Sequence, residues 1–189
     1  MLGRPGVAHA VETLDGLSGS ELTTLFLELA RRRAARVRPA DLLAAYERDR
    51  FVHPAAVGLH QLHVTEAALL GALPDQFEAV ELSPRAPRGA VSVVSAVPQN
   101  NVVSTMRGQD VAADPTNVLA LEAARQRRRG PATEVHLATV QRVVRAQRFD
   151  GPLSWAHFTL FALVSAGRNA AGRTFDCEAA TLTTPRHGT

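Results

Sequence analysis

Apolar and polar positions alternate in two different ways along this chain. Through the first 75 residues the apolar positions recur at helical spacing. After Ser18-Gly-Ser-Glu21, the residues Leu22, Leu25, Phe26 and Leu29 fall at i, i+3, i+4 and i+7 and predict an amphipathic helix. Ser18 with Glu21 three residues on is a capping-box signature, and Arg31-Arg32-Arg33 put cations where a helix C-terminus favours them. Pro39 is placed to open a second helix through Asp41, Leu42, Leu43 and Tyr46, which His53-Pro54 breaks. Leu59, Leu62, Leu69, Leu70 and Leu73 predict a third helix ending before Pro74. Met1–Leu17, with early Gly and Pro and no clear period, reads as a loose terminus.

From residue 76 the pattern shifts toward strands. Phe77–Pro84 reads as a strand ended by proline, followed by a turn-rich link at Pro84, Pro87 and Gly89. Ala90–Val97 and Asn101–Met106 are two more strand candidates, split by Pro98-Gln-Asn100. Asp114 is a good N-cap and Pro115 a good first residue for a helix running through Val118, Leu121 and Glu122 to Arg129, where Gly130-Pro131 stops it. Two runs of strand formers follow, Glu134–Gln147 and Trp155–Arg168, joined by the Gly-Pro-bearing loop Arg148–Ser154. They predict a long antiparallel hairpin. The second run is apolar on both alternating sets, Phe158, Leu160, Ala162, Val164 and Phe161, Leu163, and so reads as a central strand with a neighbour on each side. The expected fold class is α+β: N-terminal helices at 1–75, then a mostly antiparallel sheet at 76–189, packed as one unit.

Composition narrows this picture only a little. A length of 189 residues suits one domain, and 46% apolar residues suffice for a core. At 21% charged residues the chain is not a disordered polyelectrolyte. The net charge is +3, while the pI reaches about 10.3 because every strong base is arginine and lysine is absent. Base composition of the genome is the plain explanation for that; guanidinium recognition of phosphate is the functional one. The lone Cys177 excludes an internal disulfide and a cysteine zinc cluster, and points to a reducing compartment. No basic-then-apolar leader is present, and no apolar run approaches the roughly 20 residues a membrane span needs. A soluble cytoplasmic protein is expected.

Candidate chemistry is sparse. The chain has no Gly-rich phosphate loop with Lys-Ser/Thr, no G-x-G-x-x-G after a strand and no G-x-S-x-G elbow. His60, His63 and Glu66 recur every three residues, a spacing that drifts around a helix; surface histidines are expected, not a metal site. Two arginine clusters, Arg31, Arg32 and Arg33, and Arg125, Arg127 and Arg128, are either solvated helix ends or contacts for RNA such as tRNA. The remaining candidate is the hairpin mouth, where Arg145 and Gln147 should face His157 and Phe158. The plain alternative pairs Arg145 with an acid on the sheet and leaves Phe158 as core.

The order of these elements resembles the front half of a class II aminoacyl-tRNA synthetase core, most like the histidyl-tRNA synthetase group and its non-synthetase paralogues. Phe77–Pro84 looks like the first motif, a strand after a long helix ending at proline. Asp114-Pro115-Thr116 followed by Val118–Arg125 is similar to the family's acid-x-Thr element opening a helix. Val144-Arg145-Ala146-Gln147, then His157-Phe158 leading to Gly167, resembles the second motif. The resemblance covers about half the chain. It implies ATP, AMP or an acyl-adenylate as ligand, with Arg145 on the α-phosphate, Phe158 stacked on adenine, and Asp114 and Thr116 bordering an amino-acid pocket. The departures are as informative. Gln147 and His157 stand where the family has Glu, and the third motif, whose arginine holds the terminal phosphates, is missing through Thr189. The resemblance therefore implies a paralogue without independent amino-acid activation, binding a nucleotide, amino acid or adenylate-like ligand in a regulatory role, assembled as a homo-oligomer or with a partner chain. The alternatives are an RNA-binding or protein-interaction module using the arginine clusters, and a structural subunit that only assembles.

Overall fold

The computed structural model describes residues 6–95, 97–130, 134–147 and 155–168. Four helices come first: α1 (Val7–Asp15), α2 (Gly19–Ala34), α3 (Pro39–Arg48) and α4 (Leu59–Gly71). The capping box forms as expected: the Ser18 N–H donates to Glu21 Oε2 at 2.8 Å, and the Glu21 N–H donates to Ser18 Oγ at 3.3 Å. Pro39 occupies the first turn of α3, and α4 closes three residues before Pro74. The loose terminus expected up to Leu17 is corrected to α1 over its described part. Val7, Val11 and Leu14 share one face of it, yet none of its residues is buried. Nor does any residue of α2, α3 or α4 reach burial. No helix among the described residues is long and apolar enough to cross a membrane.

The core begins at Phe77. β1 (Glu78–Ala79) runs parallel to β4 (Val135–Val144), and β4 pairs antiparallel with β5 (His157–Ala166), giving the order β1-β4-β5. A second small sheet joins β2 (Arg85–Pro87) and β3 (Gln109–Val111). Between them lie α5 (Ala90–Val94) and a 3-10 turn at Gln99–Asn101. α6 (Pro115–Arg129) packs Leu119 and Ala123 onto Val135, Leu137 and Ala162 of the hairpin. A smaller cluster of Val91, Val102 and Ala113 ties α5 to the strand–helix junction. The fold is α+β with a mixed sheet.

Four strand expectations and one turn are corrected. Ala90–Val97 is not a strand; its described residues open as α5, launched from Gly89, whose φ of 85° suits glycine and whose N–H donates to the Asp110 carboxylate. A short apolar run does not by its period distinguish strand from helix. Asn101–Met106 keeps only a single bridge, Ser104 to Asp110, and the expected turn at Pro84–Gly89 contains β2. Phe77–Pro84 contributes a two-residue ladder, extended by the Val80 N–H to the Ala138 carbonyl. β5 is not central: among the described residues it lies at the sheet edge, and β4 is central. Along β5 all but one position is half-buried, whereas β4 buries Val135, Leu137, Thr139, Gln141 and Val143 on its α6 side. An apolar outward face gives an edge strand the same pattern as a central one. The loop 148–154, together with Cys177 and Thr181–Thr189, lies outside the described residues.

Candidate functional site

The hairpin ladder extends past its last paired residues, Val144 and His157, because the Arg145 N–H donates to the Ala156 carbonyl at 2.8 Å. Strand alternation then decides which side chains meet. Val143 pairs with Phe158 and Val144 with His157, so Arg145 and Phe158 share the face covered by α6 while His157 points to the other. On the α6 side, Arg145 Nε donates to the Ala113 carbonyl at 3.0 Å and Nη2 donates to Asp114 Oδ2 at 3.2 Å. The guanidinium carbon lies 5.1 Å from the centre of the Phe158 ring, a cation–π distance. The Arg145 and Asp114 side chains keep 34% and 32% of their surface exposed, so a solute can reach both.

Asp114 acts twice. Its Oδ1 accepts from the Thr116 N–H at 3.0 Å and from the Thr116 hydroxyl at 2.7 Å, capping α6. Its Oδ2 takes Arg145. A carboxylate at a helix N-terminus is favoured by the exposed backbone N–H groups there, so the acid that anchors Arg145 is itself anchored. Beside this pair is a cleft of about 180 Å³ whose polar lining is Ser95, Asn101, Asp114, Asn117, Arg145 and Gln147. Asn117 is 2% exposed; its Oδ1 accepts from the Ser95 hydroxyl, and its Nδ2 is buried without a partner among the described residues. Sequence reasoning missed Asn117 and Ser95. The available signal was an amide in the first turn after Asp114-Pro115-Thr116, since a polar side chain buried there must meet something.

Five of the expected ligand residues thus gather at one place: Asp114, Thr116, Arg145, Gln147 and Phe158. His157 does not join them. Its Nε2 donates to the His53 carbonyl at 2.7 Å, and its Nδ1 accepts from the Arg142 guanidinium, which fixes the ring on the opposite face. Neither arginine cluster lines the cleft. Arg31 and Arg32 pair with Glu28 within α2, and Arg125 pairs with Glu122 at 2.6 Å within α6, bonding that holds the Glu122 carboxyl below its usual range. Arg33, Arg127 and Arg128 have no ion pair among the described residues.

No family model matches the chain, and no curated protein matches it. Among solved structures it is similar to a histidyl-tRNA synthetase from Nostoc sp. PCC 7120, at 15% identity over 70% of this chain and 32% of that one, with a TM-score of 0.49. It is similar to a pyrrolysyl-tRNA synthetase from Desulfitobacterium hafniense at 12% identity, covering 66% of this chain and 44% of the other, with a TM-score of 0.48. An ATP phosphoribosyltransferase regulatory subunit/histidyl-tRNA synthetase from Bacillus halodurans C gives 21% identity, 65% and 30% coverage and a TM-score of 0.43. The chain spans less than half the length of each.

Proposed function

We propose that the hairpin mouth binds an adenylate-like anion, and that the chain is a synthetase-like paralogue without amino-acid activation of its own. The observation that carries this reading is the placement of one half-exposed guanidinium between the Asp114 carboxylate and the Phe158 ring. Among the described residues Arg145 Nη1 meets no acceptor, so the group can hold Asp114 and still offer N–H to a phosphate. A preset guanidinium needs little reorganisation to meet charge there. The 180 Å³ cleft is smaller than the roughly 300–1,000 Å³ of sites that enclose a whole drug-sized ligand. It suits an amino-acid-sized head beside Asp114 and Asn117, with a planar base lying outside it against Phe158. Gln147 and His157 stand where the resemblance expects carboxylates, which supports a binding or regulatory role over catalysis.

Isothermal titration with ATP, AMP and a non-hydrolysable acyl-adenylate analogue tests this reading. The expected outcome is saturable binding that Arg145→Ala weakens by roughly 1.5–3 kcal/mol, the range for a hydrogen bond to a charged group. An absence of saturable heat with all three ligands would overturn it. Amino-acid-dependent exchange of pyrophosphate into ATP would overturn the part that denies activation.

A further inference from the structure

The opposite face of the same hairpin carries a larger cavity, of about 390 Å³, closed by the connection between α3 and α4. Its polar lining is Arg50, His53, Arg142, His157 and Thr159, and its walls are apolar, with Trp155, Leu62 and the edge of Phe158 among them. None of the described residues lining it is acidic. Arg50 Nη2 donates to the Ala146 carbonyl at 2.7 Å, whereas its Nη1 is buried with no acceptor among the described residues. A buried guanidinium N–H without an acceptor is unfavourable, and an incoming anion would relieve it. His157 is oriented by two bonds of fixed sense: a carbonyl only accepts and a guanidinium only donates, so Nε2 carries the proton and Nδ1 accepts. Arg142 is thereby held at the cavity edge. α4 also opens between two lining residues, Val57 and Leu62, with no side-chain cap on its first turn.

We propose that this cavity is a second ligand site, for a small organic anion with a carboxylate or phosphate head on a flat apolar body. The inference goes beyond the hairpin-mouth reading and does not rest on it. Two guanidiniums without a lining acid select against cations. Mostly apolar walls with a few convergent polar groups are the usual make-up of a small-molecule site, and the volume falls within the range of about 300–1,000 Å³ such sites have. The head would lie between Arg50 and Arg142, and the body against Trp155 and Leu62.

Trp155 is the single tryptophan of the chain, so its fluorescence reads this cavity without a label. The full chain is titrated with benzoate, phenyl phosphate, neutral benzamide and cationic benzamidine, with the melting temperature of each variant followed in parallel. Saturable change is expected with one or both anions and not with benzamide or benzamidine. The stronger of the two anions identifies the head group. Arg142→Gln, at an exposed position, should weaken the anion response about tenfold. Ala55→Phe, which puts a ring into the cavity, should abolish the response while the protein stays folded. Equal responses to benzoate and benzamide, no saturable change with either anion, or a full response in folded Ala55→Phe would each overturn the proposal.

Discussion

The helices before residue 75 and the sheet region after it are stabilised by different means. No residue of α1–α4 is buried, and large side chains stay open on them, with Leu42 at 63% and Leu59 at 67% exposure. Order there comes from neighbours in sequence: the Ser18–Glu21 capping box, the Arg38–Asp41 pair at 2.8 Å and the Glu28 pairs with Arg31 and Arg32. In the sheet region Leu119, Leu137 and Val143 are fully buried, and the contacts that bury them join positions far apart in the chain. Both candidate sites use the second kind of order. Arg145 meets Asp114 from 31 residues away, and His157 meets the His53 carbonyl from 104 residues away. Local devices are enough to make a helix, but bringing chemistry together requires a core.

The strongest way to break this comparison is to truncate one leucine on each side of it. Leu137→Ala, at 0% exposure between α6 and β1, should cost about 2–5 kcal/mol, the loss of its transfer energy plus the cavity left behind. Leu29→Ala, at 46% exposure on α2, should stay within about 0.5 kcal/mol. Urea unfolding followed by circular dichroism measures both. An equal cost at the two positions would mean that α2 is packed as firmly as the hairpin, and the distinction would be lost.

A medium effect is expected at Asp110, 2% exposed beneath Gly89. Burial works to raise its pKa, but hydrogen bonds from Gln99, Ser104 and the Gly89 N–H and the charge of Arg88 outweigh it and hold the carboxyl below its usual value. With the folded value below the unfolded one, the stability this acid adds is fully present above the unfolded carboxylate pKa of about 3.9. It is lost as pH falls through the folded value. Asp110→Asn should cost about 1–3 kcal/mol at neutral pH by leaving bonded donors poorly matched. The gap between variant and wild type in urea midpoint should narrow on acidification. A gap constant with pH would show that shape rather than charge matters at this position.

The same division explains what could be read in advance. α2, α3, α4 and α6 announce themselves through caps, prolines and apolar repeats, and the β4–β5 hairpin through two long runs of strand formers. The Asp114 cap and the meeting of Arg145 with Phe158 follow from those two elements lying side by side. The failures sit where distant contacts decide. α5 starts after Gly89, whose N–H is taken by Asp110, 21 residues on. β2 and β3 are too short to show a period, and among the described residues β5 lies at an edge although its residues suit an interior position. His157 was expected at the hairpin mouth, yet the pairing of Val144 with His157 turns it to the other face, into a cavity that no motif foreshadowed. Asn117 was passed over because an amide in a first helical turn reads as surface until the opposing Ser95 is known.

The smallest effect gives the sharpest test of whether the two regions are coupled. Ser18→Ala removes the hydroxyl that meets the Glu21 N–H and should cost α2 about 1 kcal/mol, in the usual range for an N-cap. The Glu21 carboxyl is held below its usual value first by the Ser18 hydroxyl and then by the Ser18 N–H, so this capping contribution, too, is present above the unfolded glutamate pKa and lost as pH falls through the folded one. Hydrogen exchange resolves where the loss is felt. If α2 is held by its own caps and pairs, amides of residues 19–34 should exchange several-fold faster in Ser18→Ala, while those of β4 keep wild-type protection. If the β4 amides accelerate by the same factor, the helices and the sheet open together. The exposed leucines of α2–α4 would then belong to one cooperative unit with the core despite their lack of burial.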